Sequence, residues 1–201
     1  MRVWRTDQLQ PIRLLTGHLS DVRCCAFHPN VCYVASGSDD ASVRVWSIKS
    51  AETVRLLCAN GHSAAVCSVA FTPDGLTLAS GGEDHCVLIW HLPTGTLRSR
   101  LVGHRRPVWA LAFSCEGAQL ASSAADCTIA VWDGAHAAAS AAPPASRDGG
   151  DRQQETHLLV RLHTKHTPAL AVRYSRTNLL LGSGGFQPPP QPPQPPAPAS
   201  A

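Results

Sequence analysis

Serine, histidine and aspartate recur together three times in this chain, each time ahead of a tryptophan. The sets are His18, Ser36, Asp40 and Trp46; His62, Ser80, Asp84 and Trp90; and His104, Ser122, Asp126 and Trp132. In every set His and Asp stand twenty-two residues apart, Asp precedes Trp by six, and Ser precedes it by ten. Ser, His and Asp could supply a hydrolytic nucleophile, its base and the carboxylate that orients the base. Such a triad is needed once, in a cleft beside an oxyanion hole, so three equivalent copies argue for a structural role. That role has a definite chemistry. A carboxylate accepts hydrogen bonds from backbone N–H groups of a tight turn and from the imidazole. The imidazole engages the Ser hydroxyl, and the hydroxyl meets the indole N–H. Buried polar groups are then satisfied and the loops that carry them are tied down.

The elements that hold these residues are readable. Gly17–Trp46, Gly61–Trp90 and Gly103–Trp132 have equal length and align without a gap. Trp4, Trp46, Trp90 and Trp132 follow one another at forty-two, forty-four and forty-two residues. In the second copy AVCSVAF reads as a strand, TPDG as a turn, LTLAS as a strand, GGEDHC as a tight turn and VLIW as a strand. These runs are too short and too β-branched for stable helices. Pro73 presets φ in its turn and Gly75 accepts positive φ. Apolar residues on both faces of AVCSVAF and PVWALAF imply sheets packed side by side, since a lone sheet cannot bury both faces.

Composition narrows the function. The chain has 201 residues, 44% hydrophobic and 15% charged, with a formal net charge of +3. So weak a field does not pull it toward nucleic acid or membrane, and no Lys/Arg stripe interleaved with aromatics marks a nucleic-acid surface. Its eight cysteines (24, 25, 32, 58, 67, 86, 115 and 127) include no C-x-x-C pair. They read as small buried hydrophobes in a reducing compartment rather than as a metal or redox site. No cofactor and no small-molecule substrate is implied. MRVWRTDQLQ lacks the apolar core of a signal peptide, and no stretch approaches a membrane span. The expectation is a soluble intracellular protein.

The ends are incomplete. RVW at 2–4 resembles the third strand of a sheet, within a partial unit at 1–11. Full repeats follow at about 12–51, 52–93 and 94–133. Residues 134–156 read as a low-complexity insertion loop, 157–186 as a degenerate partial repeat with His166 near the Gly-His position, and 187–201 as a Pro-rich disordered tail. Such a tail could also serve as a ligand for SH3 or WW domains.

A period of about 42 residues, opening on Gly-His and closing on Trp, resembles the WD40 repeat family. The fold this implies is an all-β propeller. In that family the matching residues form a hydrogen-bonded tetrad inside each blade. Seven such blades would need roughly 290 residues. The chain is therefore expected to be a piece of a propeller, three full blades with a partial blade at either end. A compact ring of four, with RVW completing the last blade, is the alternative.

Three stretches are more specific: RLLTGHLSDVRCCAFHPNVCYVASGSDDASVRVWS, LVGHRRPVWALAFS and TKHTPALAVRYSRTNLLLGSGGF. They resemble the WD40 subunits of the general transcription factor TFIID, a branch of the TBP-associated factors. The resemblance implies a nuclear, non-enzymatic scaffold in RNA polymerase II preinitiation complex assembly. Its partners would be histone-fold TBP-associated factors, with TBP and DNA reached indirectly. The amino-terminal helical domains and earlier blades of those subunits have no counterpart here. SAGA-type coactivator subunits carry similar repeats and remain an alternative.

Residues that vary between copies while the frame repeats are the candidates for partner binding: Asp21, Asp39, Glu83, Arg105, Arg106 and Trp109. Trp109 replaces Arg23 and Cys67 of the other copies. It could anchor an interface, but its place within a strand favours packing between neighbouring blades. A ubiquitin-ligase substrate receptor is a further alternative, and would be expected to show a ring of arginines for acidic or phosphorylated peptides. Arg105–Arg106 is one basic pair, and the equivalent positions hold Leu19–Ser20 and Ser63–Ala64.

Overall fold

A computed structural model describes residues 1–7, 10–139, 157–164 and 167–184. Among the described residues the short β-branched runs form sixteen strands in five antiparallel sheets. β1 (Arg2–Val3) pairs only with β2 (Arg13–Leu14). The first full blade runs in order through β3 (Val22–Phe27), β4 (Tyr33–Ser38), β5 (Val43–Ser47) and β6 (Thr53–Leu57). The second is β7 (Val66–Phe71), β8 (Thr77–Gly82), β9 (Cys86–His91) and β10 (Thr96–Val102). The third is β11 (Val108–Phe113), β12 (Gln119–Ala124), β13 (Thr128–Asp133) and β14 (Leu158–His163). β15 (Ala169–Tyr174) and β16 (Leu180–Gly184) make a last two-stranded sheet. Tight turns join the strands. Gly75, after Pro73 and Asp74, sits at φ 74° and donates its N–H to the Thr72 carbonyl at 2.9 Å.

The core lies between sheets, as the double-sided apolar pattern requires. Ala35, Val43 and Val45 of the first blade pack with Val66, Val69 and Leu78 of the second. Ala79, Val87 and Ile89 of the second pack with Val108, Leu111 and Leu120 of the third. Ala121 and Ile129 of the third meet Ala169 and Val172 of the last sheet. Val3 and Leu15 of the opening pair cover Trp46.

Several expectations are corrected. The opening strand does not complete the final blade: β1 pairs with β2 and β16 with β15, and no sheet among the described residues joins the two pairs. The segment after the insertion does not simply begin a fourth unit, because β14 closes the third blade by pairing with β13. The insertion therefore interrupts a blade between its third and fourth strands. Nor is that insertion a loop from its first residue. Gly134–Ala139 forms helix α1, since Asp133 accepts the His136 N–H at 3.0 Å as a cap and Ala137 is fully buried in the apolar cluster. The rest of the insertion, His166 and the Pro-rich tail lie outside the described residues.

The cysteines are mostly not buried. Cys86 is, whereas Cys25, Cys32, Cys58 and Cys115 are exposed and Cys24, Cys67 and Cys127 are intermediate. Cys25 lies within β3, and the other three exposed thiols follow or precede strands in loops. No described helix is long and apolar enough to cross a membrane. No group of three or more ligating side chains among the described residues could hold a metal ion.

Candidate functional site

The three polar sets assemble one per blade, in the same way. The first strand follows the His, the second carries the Ser, the turn after it carries the Asp, and the third strand carries the Trp. In the first blade His18 Nδ1 lies 2.9 Å from Asp40 Oδ2, and His18 Nε2 lies 2.8 Å from Ser36 Oγ. The Trp46 indole N–H donates to Ser36 Oγ at 2.8 Å. The second blade repeats these contacts at 2.9, 2.8 and 2.9 Å through His62, Asp84, Ser80 and Trp90. The third has 3.1, 2.7 and 2.7 Å through His104, Asp126, Ser122 and Trp132. The acceptor-only carboxylate assigns the proton to Nδ1. The Ser hydroxyl then donates to Nε2 and accepts from the indole. Each Asp also accepts the N–H of the residue after the His: Leu19 at 2.9 Å, Ser63 at 3.2 Å and Arg105 at 2.9 Å.

This geometry leaves no room for hydrolysis at these serines. Ser36, Ser80 and Ser122 are completely buried, and each hydroxyl is occupied on both sides. A nucleophile must reach a carbonyl carbon, and these cannot.

Two features had no clear signal in the sequence. Ser42 and Thr128, two residues beyond their aspartates, each donate a hydroxyl to the carboxylate at 2.6 Å and a backbone N–H at 3.0 Å. The second blade has Cys86 there, and Asp84 receives only its N–H at 3.3 Å. The residues between, Ala41, His85 and Cys127, adopt φ of 61°, 66° and 60° to make the turn. The second feature is a clamp between blades. Arg13 donates to the carbonyls of Ile48 and Lys49 at 2.9 and 3.2 Å, and Arg55 donates to those of Leu92 and Pro93 at 3.3 and 2.9 Å. Ser99 takes over the role in the third copy, donating to Ala137 at 2.7 Å. The repeated R-L-L before Gly17 and Gly61 is the trace of this clamp in the sequence.

Burial is the largest single influence on the carboxyl of Asp40 and opposes its ionisation. The Ser42 hydroxyl, the Leu19 N–H and His18 outweigh it together and hold that carboxyl far below its usual range. Asp84 and Asp126 are lowered in the same way, against burial, by their His partners and turn donors. Burial also lowers His104, with Asp126 partly compensating. Its imidazole is kept neutral, as the proton assignment requires.

The variable residues divide. Arg23 donates to Asp39 at 2.6 Å and lies 3.8 Å from Glu83. Asp39 and Glu83 thus face a cation of their own chain across the first two blades. Asp21, Arg105 and Arg106 are exposed. Trp109 is half-buried and stands outside the apolar clusters between sheets. It falls where the pairing of β11 with β12 slips, as Arg23, Cys67 and Leu170 do in their own sheets. In the last sheet Gly182 faces Val172 where the other blades place the tetrad serine, so that quartet is incomplete.

Residues 9–47, 53–91 and 95–133 each match the family described as WD domain, G-beta repeat. These matches span more than half of the chain, and it belongs to the WD40 repeat family. Transcription initiation factor TFIID subunit 5 of Caenorhabditis elegans is 44% identical over 54 residues, 27% of this chain and 8% of that protein. Apoptotic protease-activating factor 1 of Homo sapiens is 36% identical over 58 residues, 29% of this chain and 5% of that protein. Among solved structures, one titled Structure of U3-55K superposes with a TM-score of 0.67 at 25% identity, over 79% of this chain and 44% of that one. The chain spans under a tenth of either curated relative. The fold is that of WD40 propeller blades, a class that typically serves as a non-catalytic scaffold for protein–protein contacts.

Proposed function

We propose that this chain is the propeller portion of a TFIID-type scaffold subunit, acting in the nucleus to hold histone-fold TBP-associated factors together. The observation that carries the reading is the 44% identity over 54 residues to TFIID subunit 5 of Caenorhabditis elegans. The rigid tetrads set the frame, and the loops between them offer the variable surface. Arg105, Arg106, Asp21 and Trp109 are the partner-binding residues. Asp39 and Glu83, both engaged by Arg23, complete the candidate set.

The test is affinity purification of the tagged chain from nuclear extract, followed by mass spectrometry. Recovery of TBP with histone-fold factors is expected, and it should weaken when Trp109 and Arg106 are both changed to Ala. Recovery of SAGA-type coactivator subunits or cullin-ligase components without TBP would overturn the reading.

A further inference from the structure

A cross-strand rung leads outward through each blade from the tetrad serine. Ser36 pairs with Arg44 on β5, and Arg44 pairs with Leu56 on β6. Ser80 pairs with Leu88 on β9, and Leu88 with Arg100 on β10. Ser122 pairs with Ala130 on β13, and Ala130 with Arg161 on β14. In the opening pair Arg2 of β1 stands opposite Leu14 of β2. Each rung carries one arginine, and an apolar residue takes the other place. The arginine is on the earlier of the two strands in the opening pair and the first blade. In the second and third blades it is on the later one.

In the full blades these side chains converge on one spot, the glycine ahead of the tetrad histidine. Arg100 Nη2 donates to the carbonyls of Gly61 and Asn60 at 2.9 and 3.2 Å, and Arg161 Nη2 donates to that of Gly103 at 3.0 Å. Arg44 lies over the Trp46 ring, its Cζ 5.8 Å from the centroid. A Cβ added at Gly17 would stand 3.0 Å from Arg44 Nη1 and 3.2 Å from Trp46 Cη2. One added at Gly103 would stand 3.1 Å from Arg161 Nη2 and 2.9 Å from Trp132 Cη2. The guanidinium thus takes the same seat, between indole and glycine, whichever strand carries it. Directly opposed residues hold their Cβ atoms about 5 Å apart on one face, well within the reach of an arginine. The charge suits the seat as well. Arg100 Nη1 lies 4.0 Å from Asp84 Oδ2, and Arg161 adds to the burial that keeps His104 neutral.

The guanidinium holds the start of the loop that leaves the tetrad. In the third blade that loop runs from Gly103 to Arg106. Arg161 grips the carbonyl of its first residue, and Asp126 accepts the Arg105 N–H at 2.9 Å. Arg161 is fifty-eight residues further along the chain than Gly103. We infer that an arginine is the fifth member of each polar set, supplied by either of two paired strands, and that it positions the loop after the histidine. Arg161 is then a positioning residue for Arg105 and Arg106, a consequence that rests on the partner-binding role proposed above.

The test is hydrogen exchange on the whole chain, read by NMR at the amides of Leu19, Ser63 and Arg105, which donate to the tetrad aspartates. Arg44→Leu, Arg100→Leu and Arg161→Leu should each speed exchange about tenfold at the amide of its own blade and leave the other two unchanged. Arg44→Leu combined with Leu56→Arg moves the arginine to the place it has in the later blades, and should return Leu19 to its wild-type rate or slower. Circular dichroism checks each variant. If Arg44→Leu unfolds, recovery of the fold by Leu56→Arg supports the inference in its place. Unchanged exchange in all three single variants would overturn it, as would a double variant no better than Arg44→Leu. Purification from nuclear extract separates this inference from the functional reading. A wild type that recovers no TBP sinks that reading alone. TBP recovered equally by wild type and Arg161→Leu would overturn the positioning of Arg105 and Arg106.

Discussion

Leu57 and Leu162 hold the same place in two blades, on the outermost strand opposite the third. Leu57 is 1% exposed and Leu162 is 45% exposed. The residue type, the strand and the register are alike. The difference is that a four-stranded blade follows the first, while among the described residues two strands follow the third. In this architecture a blade contributes a face, and its neighbour decides whether the face is core. Stability is then a sum of blade and junction terms rather than a property of one central core.

The comparison can be broken most forcefully at those leucines. Leu57→Ala should cost about 2–5 kcal/mol by the cavity it opens, and Leu162→Ala no more than about 0.5 kcal/mol. Urea denaturation followed by tryptophan fluorescence would compare them, and equal losses would mean that the neighbour's cover is worth little.

The next effect lies in the tetrads. His62→Ala leaves Asp84 and Ser80 without their shared partner and should cost roughly 1–3 kcal/mol. An unchanged melting temperature would show that the quartet is not what holds the blade.

A smaller effect separates the blades from one another. Thr128→Val removes the hydroxyl that Asp126 accepts at 2.6 Å while keeping the shape, and should cost about 1 kcal/mol. The second blade lacks that donor because Cys86 stands there, so Cys86→Ser should gain a few tenths to about 1 kcal/mol. A loss on Cys86→Ser would mean that packing of the thiol outweighs the hydroxyl.

The gentlest test is pH. Burial lowers His104 from 6.5, so the unfolded chain takes up a proton there before the folded chain does. Stability should decline slightly as pH falls through that value. The lowered Asp40, Asp84 and Asp126 act in the same direction further down: their contribution is complete above the ordinary value of 3.8 and is lost as pH falls through their folded values. Melting temperatures across a pH series in Asp126→Asn and wild type would show whether the third tetrad carries part of this slope.

The tetrads were legible because each is local. Its members lie within one blade, at spacings imposed by strand length and turn type, and the spacing repeats three times. The hydroxyls of Ser42 and Thr128 were harder to see, since Cys86 breaks the pattern at that position. The clamp of Arg13 and Arg55 was harder still: its acceptors are backbone carbonyls, which have no residue type to recognise. The bulge at Trp109 was not legible either, because a strand position alone does not show where the pairing slips.

The order of residues thus determined the strands, the turns and the polar quartets, because period-two alternation, turn chemistry and fixed spacing act over a few residues at a time. Only the tertiary structure decided which faces are core, that β14 belongs to the third blade, and that Cys25 and Val22 stand uncovered. Those outcomes depend on contact between segments some forty residues apart or more. A side chain's burial is set by what packs against it, which its own sequence neighbourhood does not encode.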